Sequence, residues 1–507
     1  WTVNIIKFFP KYKNRSAVLV MRLQLQLLLA FALLSVHSLK VPILTVHSST
    51  ARLRAPLFST APLTTSESPI GGESPIGGMS PDDSSYGFVE GPSVKYWLEY
   101  TAPRSRGLDN LREAASTAIA KARGDRRGVN YWSYHLARST FFASQAVTGV
   151  LAFRAFGSDN SPPAKNLPGE TNTLGSQSTS ELVDTLGYLF AEAIATYSQD
   201  WEAVSANKLK LPWDMREGAR NRQANPLYVM DQGRRFISES VAILSRRTRR
   251  DPNDIGVWAD KSSLYPDYYL NNFHFQSDGW LSSDSAKVYE TSTETLFLGR
   301  QDAMQRLALY SIASWVASRG VAADGEGLSV AEVACGTGRL NAFLRDNYPR
   351  CAMSATDLSP FYLEEARGHA SRWESFYTRE NGPGTVGSVS FAQANAEALP
   401  YETGSQDIVV CVYLYHELPH EARVNVSKEL CRVVKPGGLV VWVDSVQTGD
   451  RPSLDGTLGN FQYLNEPHYP TYIKEDIAGI FTKEGMLPHE KHVASTSKCL
   501  SFVKPEA

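Results

Sequence analysis

The carboxy-terminal part of the chain alternates between short apolar runs and longer segments with apolar residues at helical spacing. Runs typical of buried strands lie near 329–334, 352–357, 388–393, 407–414 and 439–443, and two more lie near 491–495 and 499–503. Near-continuous apolar strands separated by helices form parallel sheets covered on both faces, so this pattern predicts an α/β domain over 326–507. Before the fifth run, Lys435-Pro436-Gly437-Gly438 predicts a helix stop and a turn.

The preceding part of the chain, 88–325, has a mainly helical pattern. Alanine is frequent at 111–120, apolar residues dominate 139–153 and 182–197, and 234–244 has apolar residues at helical spacing. A stripe within 300–317 is predicted to dock on the sheet, and its members are Met304, Leu307, Ala308, Ile312, Trp315 and Val316. We therefore predict a mainly α-helical domain over 88–325 that also caps the substrate site.

One strand-turn-helix stretch carries the strongest ligand signal. An apolar run ends in Cys335-Gly336-Thr337-Gly338, and an amphipathic segment follows at once. At the two glycines the missing Cβ allows tight-turn angles and close approach of a ligand, and the next helix offers N–H donors. Asp357 lies nineteen residues after Gly338, where an acid can accept both hydroxyls of a ribose. No third glycine follows, so a ligand with a ribose but no pyrophosphate fits better than a dinucleotide.

Four motifs together resemble the class I S-adenosylmethionine-dependent methyltransferases. They are Glu332-Val-Ala-Cys-Gly-Thr-Gly338, Thr356-Asp357-Leu-Ser359, Ala394-Asn395-Ala396-Glu397-Ala398-Leu399-Pro400 and Leu430-Cys-Arg-Val-Val-Lys-Pro436-Gly437-Gly438, in the order and spacing of that family. The resemblance implies a Rossmann-like, doubly wound sheet of seven strands whose last two close it antiparallel, with S-adenosylmethionine as cofactor. The cofactor-binding residues that it implies are Glu332, Cys335, Gly336, Thr337, Gly338, Asp357, Leu358, Asn395, Ala396 and Tyr413. Asn395 stands where the family more often has an Asp, and its carbonyl oxygen can still accept from the adenine amine.

Candidates for the chemistry follow the fourth strand. In the architecture of this family Tyr415 and His416 face the transferred methyl group, and His416 is the candidate general base. A base is needed only if the methyl acceptor carries a proton, because positioning and desolvation supply most of the rate of methyl transfer. A structural role for His416, bonding the neighbouring loop, therefore stays open.

Two segments are predicted to form the acceptor pocket. Segment 268–282 mixes aromatic with small polar residues, and we assign His274, Gln276 and Trp280 to acceptor binding; an aromatic packing loop between domains is the alternative. The insertion 448–472 is long, aromatic and punctuated by proline, which suits a lid. Further acceptor-binding candidates are His468 and Tyr469 in that insertion and Asp444 at the end of the fifth strand.

Composition limits the partners of the protein. The 507 residues are 42% hydrophobic and 21% charged with a formal net charge of −2, which argues against a dedicated nucleic-acid binder. Between Lys208 and Arg250 the chain holds eleven Lys and Arg against four Asp and Glu, which predicts a solvated helix face or a peripheral contact with an anionic membrane or acidic partner. The five cysteines match no metal pattern, so we expect reduced thiols and no metal site.

The amino-terminal part, 1–87, is predicted to be a targeting presequence and a linker. From Met21, Arg22 and an apolar run to Val36 form a signal-peptide pattern, and 39–66 has basic and hydroxyl residues without acids, as in transit peptides. The repeat at 68–78 is rich in Ser, Pro and Gly and predicts a linker. A signal followed by a transit segment resembles the bipartite plastid address of algae with secondary plastids. An endomembrane or secreted location is the alternative.

These features predict a plastid S-adenosylmethionine-dependent methyltransferase that acts on a small molecule. One acceptor type is methylthio-hydroxybutyrate, methylated on sulfur in dimethylsulfoniopropionate synthesis. The other is a plastid quinone or tetrapyrrole precursor, methylated on oxygen or carbon. A protein or RNA methyltransferase and a non-catalytic S-adenosylmethionine-binding scaffold are the alternatives, because the family shares its cofactor half and differs in its caps.

A fusion of residues 21–90 to a fluorescent protein is expected to enter the plastid of an alga with secondary plastids, because both parts of the address are present. The matched control starts at residue 39, lacks the signal segment and should remain in the cytosol. Microscopy distinguishes the outcomes. Fluorescence of the longer fusion in the endomembranes or the medium would support the alternative address and contradict the plastid one.

Overall fold

The structure is a computed structural model that describes residues 83–101, 106–122, 125–156, 179–219, 226–249 and 264–506. The signal, transit and repeat segments predicted within 1–82 lie outside these residues, so the plastid address stays a prediction. Every candidate site residue lies inside them.

The core of the described fold is one eight-stranded sheet. Its strands are β1 (Val89–Glu90), β2 (Ser329–Val333), β3 (Ala352–Asp357), β4 (Val389–Gln393), β5 (Gln406–Val412), β6 (Val434–Ser445), β7 (Leu487–Ala494) and β8 (Ser497–Val503). They lie in the order β1-β7-β8-β6-β5-β2-β3-β4, and β8 alone among these described strands runs antiparallel to its neighbours. The strand order reverses between β2 and β5, so a ligand is expected beyond their carboxyl ends.

Alternate residues of the central strands supply the two faces of the sheet. In β5, Ile408 and Val410 lie in one hydrophobic cluster and Val409 in another, and β6 divides in the same way. Helices cover both clusters, which is why these strands are almost continuously apolar. The predicted Rossmann-like α/β fold is confirmed.

The sheet departs from the sequence prediction in three places. Strand β6 contains Lys435-Pro436-Gly437-Gly438, which the sequence pattern predicts to form a turn before the strand. The pairing of β5 with β6 is irregular between Gln406 and Ile408, and this irregularity accommodates Pro436 and the left-handed Gly437. The last two strands are not both antiparallel, since β7 runs in the direction of β6. The eighth strand, β1, precedes the helical part and pairs in parallel with β7.

The turn before β1 belongs to the fold, although the sequence assigns it to the linker. Asp83 is buried and accepts hydrogen bonds from Nζ of Lys491 at 2.9 Å and of Lys498 at 2.8 Å. Lys498 is only 1% exposed, so its ammonium needs carboxylate partners. Residues 83–87 are therefore packed against the carboxy-terminal strands.

Helices cover the sheet and form the cap. Before β2 they are α1 (Pro92–Leu98), α2 (Gly107–Ala122), α3 (Arg126–Phe156), α4 (Thr179–Ser205), α5 (Pro226–Arg249), α6 (Ser283–Leu296), α7 (Gln301–Gln305) and α8 (Ala308–Arg319). After β2 they are α9 (Arg339–Asn347), α10 (Pro360–Asn381), α11 (His420–Val433), α12 (Pro452–Leu458), α13 (Tyr469–Tyr472) and α14 (Ile477–Lys483). The mainly helical character predicted for the part before β2 is confirmed.

The helices before β2 share their core with the sheet. Ile312 and Trp315 of α8 are buried in the same cluster as Ile408 and Leu439, and Tyr131 of α3 also belongs to that cluster. The apolar stripe predicted within 300–317 thus docks on the sheet. The predicted boundary between 325 and 326 separates two stretches of chain, but it does not separate two cores.

A buried network of charges fastens the cap to the turn after β2. Arg339, the first residue of α9, donates from Nε and Nη2 to the two oxygens of Asp302 at 2.9 and 2.7 Å. The same carboxylate lies 3.0 Å from Nη2 of Arg138 in α3, and Arg339 also donates to Asp214 at 2.6 Å. Arg138 and Asp302 are 5% and 2% exposed, and charges buried to this degree need each other. Asp302 therefore fixes α3 and α7 against α9.

The described part of the chain contains no helix long and apolar enough to cross a membrane. On α5, Arg235 pairs with Asp231 and Asp284, so part of the basic segment forms surface ion pairs. Its peripheral membrane contact stays a prediction. All five cysteines, Cys335, Cys351, Cys411, Cys431 and Cys499, are buried free thiols.

Asp302→Asn is expected to lower the free energy of unfolding by about 1.5–3 kcal/mol, because Arg138 and Arg339 lose their shared carboxylate while Glu294 and Asp214 remain as their partners. The control, Glu217→Gln, breaks the exposed pair with Arg126 and should cost no more than about 1 kcal/mol. Urea unfolding followed by circular dichroism measures both variants. Equal small losses would show that Asp302 does not join the cap to the sheet.

Candidate active site

The candidate site is a cavity of about 300 Å³ beyond the carboxyl ends of β2, β3 and β5. The turns after these strands line one side of it. The opposite wall comes from the segment before α6, from α6 itself and from the insertion after β6, through residues that include Phe273, Tyr289, Thr293, Leu296, Leu454, Leu458 and Phe461. The two segments predicted to form the acceptor pocket, 268–282 and 448–472, thus both contribute to one cavity.

The turn after β2 leaves room for a ligand against its backbone. Ala334, Gly336 and Gly338 have φ of 57°, 55° and 74°, a left-handed conformation that glycine adopts without strain. A Cβ on Gly336 would meet nothing within 4 Å beyond its chain neighbours, so this backbone faces open space. A Cβ on Gly338 would lie 2.8 Å from Cβ of Ala366. Gly338 therefore permits close packing of α9 on α10 and does not line the cavity.

Asp357 ties the end of β3 to that turn. Its Oδ2 accepts from N–H of Gly336 and its Oδ1 from N–H of Ser359, both at 2.8 Å. Each oxygen keeps a second lone pair for a hydroxyl of a ligand. Burial raises the pKa of the Asp357 carboxyl to about 6 although these backbone donors oppose the rise. The carboxylate is thus ionised at neutral pH and faces the cavity.

The other predicted cofactor-binding residues also line the cavity, and they are Glu332, Cys335, Thr337, Leu358, Asn395, Ala396 and Tyr413. Burial raises the pKa of Glu332 to about 8 although Asn341 opposes the rise, and its Oε2 accepts no hydrogen bond among the described residues. Oδ1 of Asn395 accepts from N–H of Glu397 at 2.9 Å, which fixes the amide. The Tyr413 hydroxyl lies 2.7 Å from Oγ of Ser497.

His416 and Asp444 form a buried dyad at the far end of the cavity. Nδ1–H of His416 donates to Oδ1 of Asp444 at 2.5 Å. Asp444 is 0% exposed and accepts from N–H of Tyr415 at 2.8 Å and of Ser445 at 2.7 Å, so its carboxylate is held in place. Burial disfavours the charged imidazole, but Asp444 and Glu417 together outweigh it and raise the pKa of His416 well above its usual value of 6.5. His416 is therefore protonated at neutral pH.

A second histidine links two glutamates beside this dyad. Nε2 of His416 lies 3.5 Å from Oε1 of Glu417, and Nε2 of His274 lies 4.0 Å from the same oxygen. Nδ1 of His274 lies 3.0 Å from Oε1 of Glu466, an ion-pair distance without the alignment of a hydrogen bond. Burial lowers the pKa of His274, but the neighbouring carboxyl groups of Glu466 and Glu417 together outweigh burial, so the net shift of the pKa is upward. We call His274, His416, Glu417 and Glu466 the histidine–glutamate cluster.

The segment that carries His274 to this cluster has a left-handed backbone conformation at several residues. His274, Phe275 and Asp278 have φ of 54°, 57° and 59°, which is costly for residues with a Cβ. Trp280, from the same segment, lines the cavity at the end of β3, where its carbonyl accepts from Oγ of Ser359 at 2.5 Å. Trp280 thus lies near Asp357 rather than near the dyad.

Four predicted catalytic or acceptor-binding residues do not line the cavity. The Tyr415 hydroxyl lies 2.8 Å from Oγ of Ser427 in the core, because the helical turn after β5 directs it away from the dyad. Gln276 is buried and donates to the Tyr362 hydroxyl at 3.0 Å. His468 has its carbonyl bonded to Arg423 at 2.8 Å, and Asp444 reaches the cavity only through His416. Tyr469 does line it, with its hydroxyl 2.7 Å from Oγ of Ser445.

Sequence reasoning missed Glu466 and the wall formed by α6. Glu466 follows Asn465, a non-glycine residue with φ of 62°, inside an insertion that has no family pattern. The length and aromatic content of the insertion indicated a lid, but no sequence motif identified Glu466 as a residue of the site. Tyr289 and Thr293 of α6 occur one turn apart, and a helical stripe facing the predicted pocket could have revealed them.

Comparison with known proteins agrees with this geometry. Residues 330–438 match a family model described as "Methyltransferase domain". Over 123 residues, 24% of this chain and 44% of the relative, the chain is 33% identical to demethylmenaquinone methyltransferase of Lactococcus lactis. It is 30% identical over 118 residues, 23% of this chain and 38% of the relative, to phthiotriol/phenolphthiotriol dimycocerosates methyltransferase 1 of Mycobacterium ulcerans. The chain spans less than half the length of these two relatives.

Solved methyltransferases are also similar to this chain. An O-methyltransferase family protein from Burkholderia thailandensis is 17% identical, with 64% of this chain and 88% of that chain covered and a TM-score of 0.36. The matched family model, the sheet order and the glycine turn together identify a class I S-adenosylmethionine-dependent methyltransferase domain. S-adenosylmethionine is the cofactor of that domain.

The residues of the turn side fit this cofactor. The open backbone at Gly336 leaves space for its methionine end, and the spare lone pairs of Asp357 suit its ribose hydroxyls. The carboxyl of Glu332, whose Oε2 accepts no hydrogen bond among the described residues, offers a partner for its ammonium, because a bound cation would favour the ionised form that burial alone disfavours. Asn395 and Ala396 line the part of the cavity that would receive the adenine.

Affinity for S-adenosylmethionine is expected to rise between about pH 5 and 7 in the wild type, because ribose hydroxyls donate to ionised Asp357, whose pKa is about 6. Asp357→Ala should flatten this dependence and cost on the order of 1.5–3 kcal/mol of binding at neutral pH. The control Asp407→Asn removes an acid that binds Ser329 outside the cavity, and its affinity should equal that of the wild type. Calorimetry showing equal affinity for wild type and Asp357→Ala would remove Asp357 from the site.

Proposed function

We propose that this chain transfers the methyl group of S-adenosylmethionine to a small molecule held in the cavity. The observation that carries the proposal is that one cavity joins the Gly336 and Asp357 side to the His416 end. When bound, the cofactor supplies an electrophilic methyl group on a positively charged sulfur. The intact glycine turn and the buried Asp357 favour an enzyme over a scaffold. The enclosing cap favours a small acceptor over a protein or RNA chain.

The walls of the cavity surround the space in which the two ligands would meet. Aromatic rings of Trp280, Tyr289, Phe461 and Tyr469 line it, and Phe461 stacks on Tyr469 with ring centroids 4.9 Å apart. Such faces tolerate a neighbouring positive charge on sulfur through their quadrupoles. Closure around a cofactor and an acceptor supplies the proximity on which an in-line displacement depends.

His416 handles the proton of the acceptor. At neutral pH it is protonated, so its imidazolium can donate to an acceptor oxygen and orient it. Once it has lost that proton at higher pH, it can take one from a hydroxyl as the methyl group is transferred. Asp444 acts through His416 by fixing the ring and stabilising its charge.

Among the predicted acceptors, a compact quinone precursor is best supported. A cavity of about 300 Å³ that must hold the cofactor as well as the acceptor favours a compact acceptor over a tetrapyrrole. A sulfur acid needs a cation for its carboxylate, and Arg339, which lines the cavity, is already paired with Asp302 and Asp214. A relative that is 33% identical over part of its length is named a demethylmenaquinone methyltransferase. A plastid location, if the predicted address holds, also suits a quinone precursor.

Methyl transfer is tested with S-adenosylmethionine that carries a labelled methyl group. The purified chain is incubated with a substituted hydroquinone, with 4-methylthio-2-hydroxybutyrate, with a porphyrin, and with protein and RNA extracts. We expect label in the hydroquinone. Label in protein or RNA instead would contradict the proposal, and label in the thioether acid would retain the enzyme class and replace the acceptor.

His416→Ala is expected to lower the rate by roughly 10²–10⁴-fold if the acceptor loses a proton, the usual contribution of a general base. The wild-type rate should rise with pH through the pKa of His416, which lies well above 6.5 because Asp444 stabilises the imidazolium. His416 must lose this proton before it can act as a base. The variant should lose this rise. The control His468→Ala changes a histidine outside the cavity and should keep the wild-type profile. A flat wild-type profile would contradict base catalysis by His416.

A further inference from the structure

The far end of the cavity has more carboxyl groups than cations. Asp444, Glu417 and Glu466 face two imidazoles, those of His274 and His416. With both imidazoles protonated, two cations serve three carboxyl groups, and burial raises the pKa of Glu417, so the third group is either an unpaired carboxylate or a neutral acid.

No other cation compensates this excess within the described lining of the cavity. Arg339 is its one described arginine, and both oxygens of Asp302 and one of Asp214 occupy its guanidinium. No described lysine lines it. An anion that enters this end would therefore find both imidazoles already engaged, His416 by Asp444 and His274 by Glu466.

The glutamates also have unused hydrogen-bonding capacity. Oε2 of Glu417 and both side-chain oxygens of Glu466 accept no hydrogen bond among the described residues. Glu466 is 1% exposed and the Glu417 side chain 11%, so bulk water does not cover them fully. Both residues line the cavity, and buried acceptors of this kind require a donor. A ligand that donates hydrogen bonds satisfies them.

His274 holds the two glutamates as a pair. Its Nδ1 faces Glu466 at 3.0 Å and its Nε2 faces Glu417 at 4.0 Å, so one ring spans both side chains. Glu417 follows β5 and Glu466 lies in the insertion, so the pair exists only when the insertion covers the cavity. The adjacent His416 marks the same end as the place of proton transfer.

We propose that Glu417 and Glu466 bind the methyl acceptor through hydrogen bonds that the acceptor donates, and that they exclude an acceptor whose free carboxylate must enter this end. The proposal rests on the proposed methyl transfer and specifies its substrate class. The acceptor is neutral or cationic and carries hydroxyl or amine hydrogens beside the methylated atom. A hydroquinone fits this class, and a thioether acid does not.

The test uses the full chain loaded with S-adenosylhomocysteine, with loading measured first by calorimetry. Three probes are then titrated: hydroquinone, its dimethyl ether and 4-methylthio-2-hydroxybutyrate. Hydroquinone is expected to bind, the ether at least roughly tenfold more weakly because it donates nothing, and the anion more weakly still. Hydroquinone and its dimethyl ether are compared on the wild-type protein, so this result does not depend on whether a variant folds.

Two variants assign the effect to the glutamates. Glu466→Gln and Glu417→Gln should each weaken hydroquinone binding by roughly tenfold or more and strengthen binding of the anionic probe, because a neutral amide replaces a carboxylate. Glu484→Gln makes the same chemical change on an exposed residue outside the cavity and should alter neither probe. Loading with S-adenosylhomocysteine verifies that each variant is folded.

The outcomes separate this proposal from the proposed function. Failure of the wild type to bind S-adenosylhomocysteine overturns the function itself. If loading is normal, either of two results overturns the carboxylate proposal and leaves the function intact. In the first, the anionic probe binds as tightly as hydroquinone. In the second, Glu466→Gln leaves both affinities unchanged. Normal loading without binding of hydroquinone also overturns it.

Discussion

The carboxylate of Asp302 connects the parts of the molecule between which the site lies. It receives Arg339 from the first turn of α9 and Arg138 from α3; Arg138 and Asp302 are buried, and Arg339 is partly buried. The cofactor side depends on where α9 begins, and the cap depends on α3 and α7. Without that shared partner, Arg138 would still pair with Glu294 and Arg339 with Asp214, but the carboxylate that joins the two guanidinium groups would be lost. The cavity is thus a consequence of ionic contacts as much as of apolar packing.

The two ends of the cavity have opposite tasks, and burial serves both. At one end, Asp357 is desolvated yet kept ionised at neutral pH, which suits the ribose hydroxyls of the cofactor. At the other end, Asp444 keeps His416 protonated despite burial. Low exposure strengthens each charge interaction and also raises the cost of an unmatched one. At the acceptor end, Asp444, Glu417 and Glu466 face only two imidazoles, and we propose that these carboxyl groups select the acceptor.

The sequence predicts the parts of this structure that obey local rules. β3 coincides with its apolar run, the glycine turn lies where Gly336 indicates it, and Asp357 is found against that turn. Long-range partners could not be read from spacing: β1 joins the sheet through β7, and Glu466 meets His274 across nearly two hundred positions. Tyr415 shows a third limit, because a helical turn decides which of two neighbouring side chains enters the cavity.

The most direct test of the account is an experimental structure of the full chain with S-adenosylhomocysteine bound. We expect the ribose hydroxyls within hydrogen-bond distance of Asp357, the amino-acid end against Gly336, and the cofactor sulfur facing the open space in front of His416. Density for the cofactor outside this cavity, or a sulfur directed away from His416, would contradict the central claim that one cavity brings the methyl donor to the acceptor end.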